Sequence, residues 1–411
     1  MPGGLHLPAI VGPFVTLGLV YGVWYSYSVL LVALVREFAW PRAVAAGAFS
    51  LFVIVHGGAG PLVGRLVESL GPRVVIVAGA FSLVGGLLLA AHTTEAWHLY
   101  LSFGVIAAAG TCAAGWVPSV VIVRRSHPDR FGTAVGIASA GTGMGIVAVV
   151  PLAQLLIGIV GWRWTLRVLA AAILVWVLLG VRWFTRDHPQ ETRAARAAGT
   201  APGGERDSAD WTLGMALRSW RFWGVGIVFL AGGTATQTLL VHQVAYLVDK
   251  GIAALVAATV ASVVGLASIG GKIGWGTLSD RVGSEVAFTL SSLCVVGAIG
   301  VLALSSPEAT LLAYVYAVLM GVGYASSAPL PPAVVGRLFP GAHFSSIFGA
   351  LQPATSIGGA VGAWTAGRIF DRTGSYDPAL VMAVIIAAAA PILLWVVAPR
   401  RPHLPPAPRR A

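Results

Sequence analysis

Apolar runs bounded by Gly, Pro and charged residues recur along the chain. They predict twelve helical spans at 11–35, 43–66, 73–91, 97–122, 131–157, 163–184, 220–247, 253–277, 286–305, 308–334, 343–368 and 377–398. Each approaches or exceeds the roughly 20 residues that a helix needs to cross a hydrocarbon core. Between the sixth and seventh runs the pattern stops. Residues 185–219 are rich in Arg, Asp, Ala, Gly and Pro and cannot build a core, so they read as a cytoplasmic linker. The predicted organisation is a six-helix bundle at 1–184, the linker at 185–219, a second six-helix bundle at 220–398 and a cytoplasmic tail at 399–411.

Composition agrees with this pattern. Of 411 residues, 57% are hydrophobic and 10% are charged, against about 25% charged in an average soluble domain. So few charges cannot cover the surface of a water-soluble protein, which excludes a cytosolic enzyme, a disordered chain and a secreted disulfide scaffold. Cys112 and Cys294 lie in apolar runs and read as buried thiols. The N-terminus lacks a basic region before its first apolar run, which reads as a retained span and not as a signal peptide.

The net charge of +11 marks sidedness and not nucleic-acid binding. With the N-terminus inside, eighteen of the 26 basic residues fall on the cytoplasmic side and seven on the other, while Lys272 alone lies within a span. That bias predicts a multi-pass plasma-membrane protein with both termini cytoplasmic.

The two bundles also repeat. "GRLVESLGPR" at 64–73 follows the second span, and "GTLSDRVGSE" at 276–285 follows the eighth. Both carry Gly, Leu two on, an acid four on and Gly seven on, at an offset of 212 residues. Short loops in register in two halves are the trace of a duplicated transporter. The loop pair, the six-plus-six organisation and the linker resemble the major facilitator superfamily. Segments 25–50, 130–145, 241–252 and 367–379 are similar to its monocarboxylate and oxalate/formate transporter branch. The resemblance implies an all-α membrane fold of twelve transmembrane helices in two pseudo-symmetric halves, with alternating access.

All fifteen acids fall in loops or at span ends, which argues against a cation substrate and against a carboxylate proton relay. Lys272 in span 8 is the exception among the bases. A Lys at the bilayer centre costs about 2.5 to 3.5 kcal/mol on insertion scales, and a carboxylate about 4 Å away returns roughly 4 kcal/mol at an effective dielectric near 20. Lys272 therefore reads either as an anchor for an anionic ligand or as a side chain snorkelling toward Asp280. The resemblance implies the former: relatives carry Asp-x-x-x-Arg in span 8, matched here by Ser268 and Lys272. It also places Gln352 where oxalate transporters hold a second cation, so one cation suits a monoanion.

Tyr25 and Trp116, with Tyr21, Tyr27, Gln237, Gln243 and Tyr324, could line a central pocket, or could pack against lipid and neighbouring helices. His242 and His56 are the candidates for proton coupling, His242 also for contact with the substrate, and each could instead be a neutral His bonded to a neighbouring helix. His343 reads as a loop residue. Glu68, Arg73, Asp280 and Arg281 in the repeated loops lie too near the cytoplasmic face to touch substrate. The resemblance gives them a gating role, weakened in the second copy by Glu285. The small-residue stretches at 136–145 and 356–367 read as close helix contacts.

The reading is a carrier of a small organic monoanion, such as lactate or pyruvate, working by proton symport or by exchange. It has no catalytic residue, metal or cofactor, its partners are the substrate, a proton and the bilayer, and it functions as a monomer. An exporter of amphipathic compounds is the alternative, and a non-transporting receptor the remote one.

Overall fold

The computed structural model describes residues 7–40, 42–184 and 210–398. The tail at 399–411 and the linker up to residue 209 lie outside these.

Among the described residues, nine helices are long and apolar enough to cross a membrane. One of them, Phe131–Phe184, is two helices joined at Gly161, whose φ of 79° and ψ of 163° interrupt the helix. Two further helices of 29 and 30 residues are long enough, but Gly, Ser, Thr, Lys272 and Gln352 make them less apolar. The spans are therefore twelve. They are α1 (Pro8–Phe38), α2 (Arg42–Leu70), α3 (Pro72–Ala90), α4 (Ala96–Ser126), α5 (131–160), α6 (162–184), α7 (Trp220–Asp249), α8 (Ala254–Val282), α9 (Ser284–Leu304), α10 (Thr310–Leu338), α11 (Phe344–Thr373) and α12 (Asp377–Val397).

The repeated glycines have a local cause. Gly71 and Gly283 join α2 to α3 and α8 to α9 with φ of 85° and 94°, a region that residues with a Cβ rarely enter. The tight turn recurs in both halves because the residue that permits it does. Helices α4 and α10 are interrupted at matching places, α4 at Gly115 and α10 by a 3₁₀ turn at Ala325–Ser327. α4 also carries a π-helical stretch at Tyr100–Ala107.

Each half has its own core. Leu17, Leu34, Phe52, Leu83, Leu87 and Phe103 are fully buried among α1–α6, and Leu239, Leu247, Leu302, Tyr316 and Met320 among α7–α12. A third cluster spans both halves at the end bearing the α2–α3 and α8–α9 turns, where Val63, Val67, Val117 and Val120 meet Phe222, Phe344, Ile347 and Phe348. In lipid such seams are held by close packing more than by water exclusion.

The linker needs a correction at its C-terminal end. Leu213–Arg218 is a short helix, with the Thr212 hydroxyl accepting from the Met215 amide at 3.2 Å. The preceding Trp211 is buried, its ring 5.2 Å from that of Phe339. The polar composition of 185–219 hid this anchored turn.

Candidate functional site

The two halves meet along two crossings, α5 with α8 and α2 with α11. Both are built on missing side chains. A Cβ on Gly276 would lie 2.1 Å from the Gly132 carbonyl oxygen, and one on Gly349 would lie 2.4 Å from that of Gly60. The small-residue stretches serve inside the halves too: a Cβ on Gly141 would lie 2.0 Å from the Phe14 carbonyl oxygen of α1, and one on Gly358 2.1 Å from that of Leu230 of α7.

Lys272 sits in the α5–α8 crossing and is 5% exposed. Its Nζ does not snorkel toward Asp280. It donates across the interface to Thr142 Oγ1 of α5 at 2.7 Å. Among the described residues no carboxylate pairs with it, so one of three ammonium donors is used. One turn back on the same face, Ser268 is 1% exposed and its hydroxyl donates to the Gly265 carbonyl oxygen at 2.7 Å. The arrangement is a buried, unneutralised cation beside hydroxyl groups from both halves. It suits a small anion.

Helix rise places the other candidates by depth. Counted from the end bearing the repeated turns, Lys272, Thr142, Trp116 and Gln352 lie roughly 12 to 17 Å in, and His56, Tyr324 and Tyr25 roughly 21 to 26 Å in. Gln352 is half-buried at the other crossing, against Gly60. Trp116 is half-buried too and packs into the seam beside Val123 and Val135. His56 lies among Tyr21, Trp24 and Phe52, with Trp24 at 4.7 Å between ring centroids and the Tyr21 hydroxyl at 3.5 Å from its Nε2.

His242 is not brought to this group. It lies about 33 Å from the same end, with Nδ1 3.2 Å from the Tyr376 hydroxyl and Nε2 2.9 Å from the Ala363 carbonyl oxygen. Those bonds tie α7 to α11 and to the turn before α12. A small cavity beside it is lined by Thr238, Gln243, Tyr246 and Tyr376. Gln243 accepts from the buried Tyr316 hydroxyl at 2.8 Å, so it braces the C-terminal half.

The acids of the repeated loops form a pair. Asp280 of α8 caps the start of α5 in the opposite half, accepting from the Gly132 and Thr133 amides at 2.7 Å and from the Thr133 hydroxyl at 2.6 Å. Glu68 of α2 accepts from Ser346 and pairs with His343 at the start of α11. A carboxylate at a helix N-terminus also meets the positive end of the helix dipole. His343, expected in a loop, stands in the turn at the N-cap position of α11. Arg73 and Arg281 are exposed at this end. Glu285 is fully buried and paired with Arg337 at the end of α10, so it braces one half and is not a vacant gate position.

Sequence reasoning missed Thr142 and Arg124. Arg124 of α4 lies 4.0 Å over the Phe344 ring and donates to the Gly336 carbonyl at 3.5 Å, across the halves and at the repeat offset of 212. That offset was the available signal. Thr142 stands in a small-residue stretch that reads as packing, and it gave none.

The family profile of the Major Facilitator Superfamily matches residues 14–363. The chain belongs to that superfamily: it is a multi-pass membrane transporter and not an enzyme. Monocarboxylate transporter 13 of Bos taurus is 29% identical over 383 residues, covering 93% of this chain and 86% of that protein. Monocarboxylate transporter 11 of Homo sapiens is 26% identical, covering 92% and 80%. The Escherichia coli fucose:proton symporter shares the fold, with a TM-score of 0.71 at 14% identity over 96% of this chain and 99% of that one.

Proposed function

We propose that this transporter carries a small organic monoanion, a monocarboxylate of the size of lactate or pyruvate, by alternating access between its two halves.

 The observation that carries this reading is Lys272, a buried cation on the interface of the halves whose one bond is to a hydroxyl. The likeness to monocarboxylate transporters over more than nine-tenths of the chain supports the same substrate class. Lys272 is the anchor for the carboxylate, and Tyr25, Tyr324, Trp116 and Gln352 bound the space around it. Glu68 and Asp280 hold the cytoplasmic end shut, with Arg73 and Arg281 beside them, and their contacts break when the halves rock inward.

The bundles at 1–184 and 220–398 are the moving bodies, and both termini face the cytoplasm of a plasma-membrane protein that works as a monomer. Carrying one negative charge inward against 100 mV costs about 2.3 kcal/mol, so accumulation requires a co-transported proton or exchange for an internal anion. His56, roughly 5 Å deeper than the anchor where His242 is about 18 Å deeper, is the better placed of the two histidines for proton coupling.

Uptake of labelled monocarboxylates into proteoliposomes tests the proposal. Wild type takes up at least one of them faster when the outside is acidic, and Lys272→Gln abolishes the uptake. Equal flux through both proteins contradicts the role of Lys272. The aromatic cluster of Tyr21, Trp24, Phe49 and Phe52 around His56 favours a second reading, export of an amphipathic compound. Its mark is efflux that survives Lys272→Gln.

A further inference from the structure

The hydroxyl groups beside Lys272 have a fixed polarity. Thr142 Oγ1 donates to the Ser139 carbonyl oxygen at 2.8 Å, and Ser268 Oγ donates to the Gly265 carbonyl oxygen at 2.7 Å. Both hydrogens are thus spent on the backbone three residues back, and each oxygen offers lone pairs only. Thr142 uses one of its lone pairs on Lys272. Ser268 stands one turn from Lys272 on the same face of α8, at the ordinary i, i+4 spacing of about 5–6 Å between Cβ atoms. An entering ligand therefore meets one cationic donor with acceptors beside it.

We infer that the site selects carboxylates bearing a neutral hydroxyl on the carbon next to the carboxylate, and discriminates against their 2-oxo counterparts. This rests on the reading of Lys272 as the carboxylate anchor. With the carboxylate on Lys272, a 2-hydroxyl donates to Ser268 Oγ or Thr142 Oγ1. A 2-oxo group brings a second acceptor against acceptors. Thr142 and Ser268 can serve it only if a hydroxyl turns away from its backbone carbonyl, so it competes with the carboxylate for the two remaining donors of Lys272. A 2-ammonium group would donate as well, but it would set a second cation beside Lys272 where no carboxylate of the described residues offsets it. Thr142 and Ser268 are in this sense specificity-determining residues, one from each half.

The test uses three matched probes: propanoate, 2-hydroxypropanoate and 2-oxopropanoate. Their affinities are measured by calorimetry on the purified full chain, in wild type, Ser268→Ala, Thr142→Val and Lys272→Gln. The expected result is that wild type binds the 2-hydroxy acid about three- to tenfold more tightly than the 2-oxo acid, the scale of one net hydrogen bond. The preference falls toward unity in Ser268→Ala or Thr142→Val, and a monodisperse gel-filtration profile with wild-type helicity by circular dichroism shows that each variant is folded. Lys272→Gln weakens all three probes by about 10- to 100-fold. Equal wild-type affinity for the hydroxy and oxo acids overturns the selectivity and leaves the carboxylate anchor standing. A preference that persists in both Ser268→Ala and Thr142→Val also overturns it. If wild type binds none of the three, the anchor itself falls, and the selectivity with it.

Discussion

The two crossings between the halves share a backbone plan and differ in their chemistry. In each, glycines let two helices touch, and in each an acid from the repeated loop caps the first turn of a helix in the other half. At the repeat offset of 212, Glu68 corresponds to Asp280, Gly64 to Gly276 and Gly71 to Gly283. The same offset sets Gly60 against Lys272 and His56 against Ser268. The parts that close the end of the bundle are therefore duplicated, and the cation is not. On the proposed function, the gate is kept in two copies because closing is symmetrical work. A single monoanion needs one anchor, and a second buried cation would add another cost of about 2.5 to 3.5 kcal/mol with no charge to meet it.

The largest expected effect separates the crossings directly. Lys272→Gln lowers carboxylate affinity by about 10- to 100-fold, the scale of a hydrogen bond to a charged group. Gln352→Ala at the other crossing changes it by no more than about threefold. Titration calorimetry reads both, and a comparable loss at Gln352 would break the asymmetry.

A substitution at the glycine contacts tests the shared plan. Gly276→Ala places a Cβ against the Gly132 carbonyl and Gly349→Ala places one against that of Gly60. Both should lower thermal stability by about 1 to 3 kcal/mol, since neither contact atom is a movable side chain. Loss at only one crossing would show that the other opens freely.

The caps give a smaller difference. Asp280 takes two backbone amides and a hydroxyl, whereas the bonds of Glu68 to α11 come from side chains. Asp280→Ala should cost about 1 to 2 kcal/mol of closed state and Glu68→Ala less. The distance distribution between spin labels at Arg130→Cys and Arg281→Cys reports the opening. The smallest effect is expected at His242. His242→Gln loosens the tie to Ala363 and Tyr376 and lowers stability by about 1 kcal/mol, with carboxylate affinity unchanged in calorimetry.

Most of the fold was legible because each span is a long apolar run, and the breaks at Gly71, Gly161 and Gly283 fall where the runs end. The two least apolar spans, α8 and α11, still read as apolar runs bounded by Gly, Pro and charges. Their polar residues are what the crossings use. The interruptions of α4 and α10 left no mark in composition. Lys272 was legible because it is the one basic residue within a predicted span. Its partner was not, because Thr142 differs from its packing neighbours only in which way its hydroxyl points. His242 misled for a related reason. Its segment resembles relatives, yet its distance from Lys272 is set by helix rise and rotation, and these place it about 18 Å further along the bundle. Glu285 looked like a missing gate charge until its burial against Arg337 appeared, a contact between segments some fifty residues apart.

The most direct test of the central claim is the thermal stability of the purified chain with a small monocarboxylate, in wild type and in Lys272→Gln. At about 100 times its dissociation constant, a ligand of the folded state stabilises by roughly 2.7 kcal/mol. The expected result is a clear rise in melting temperature for wild type and a rise of no more than about half that size for Lys272→Gln. An equal rise in both proteins would contradict the assignment of Lys272 as the anchor.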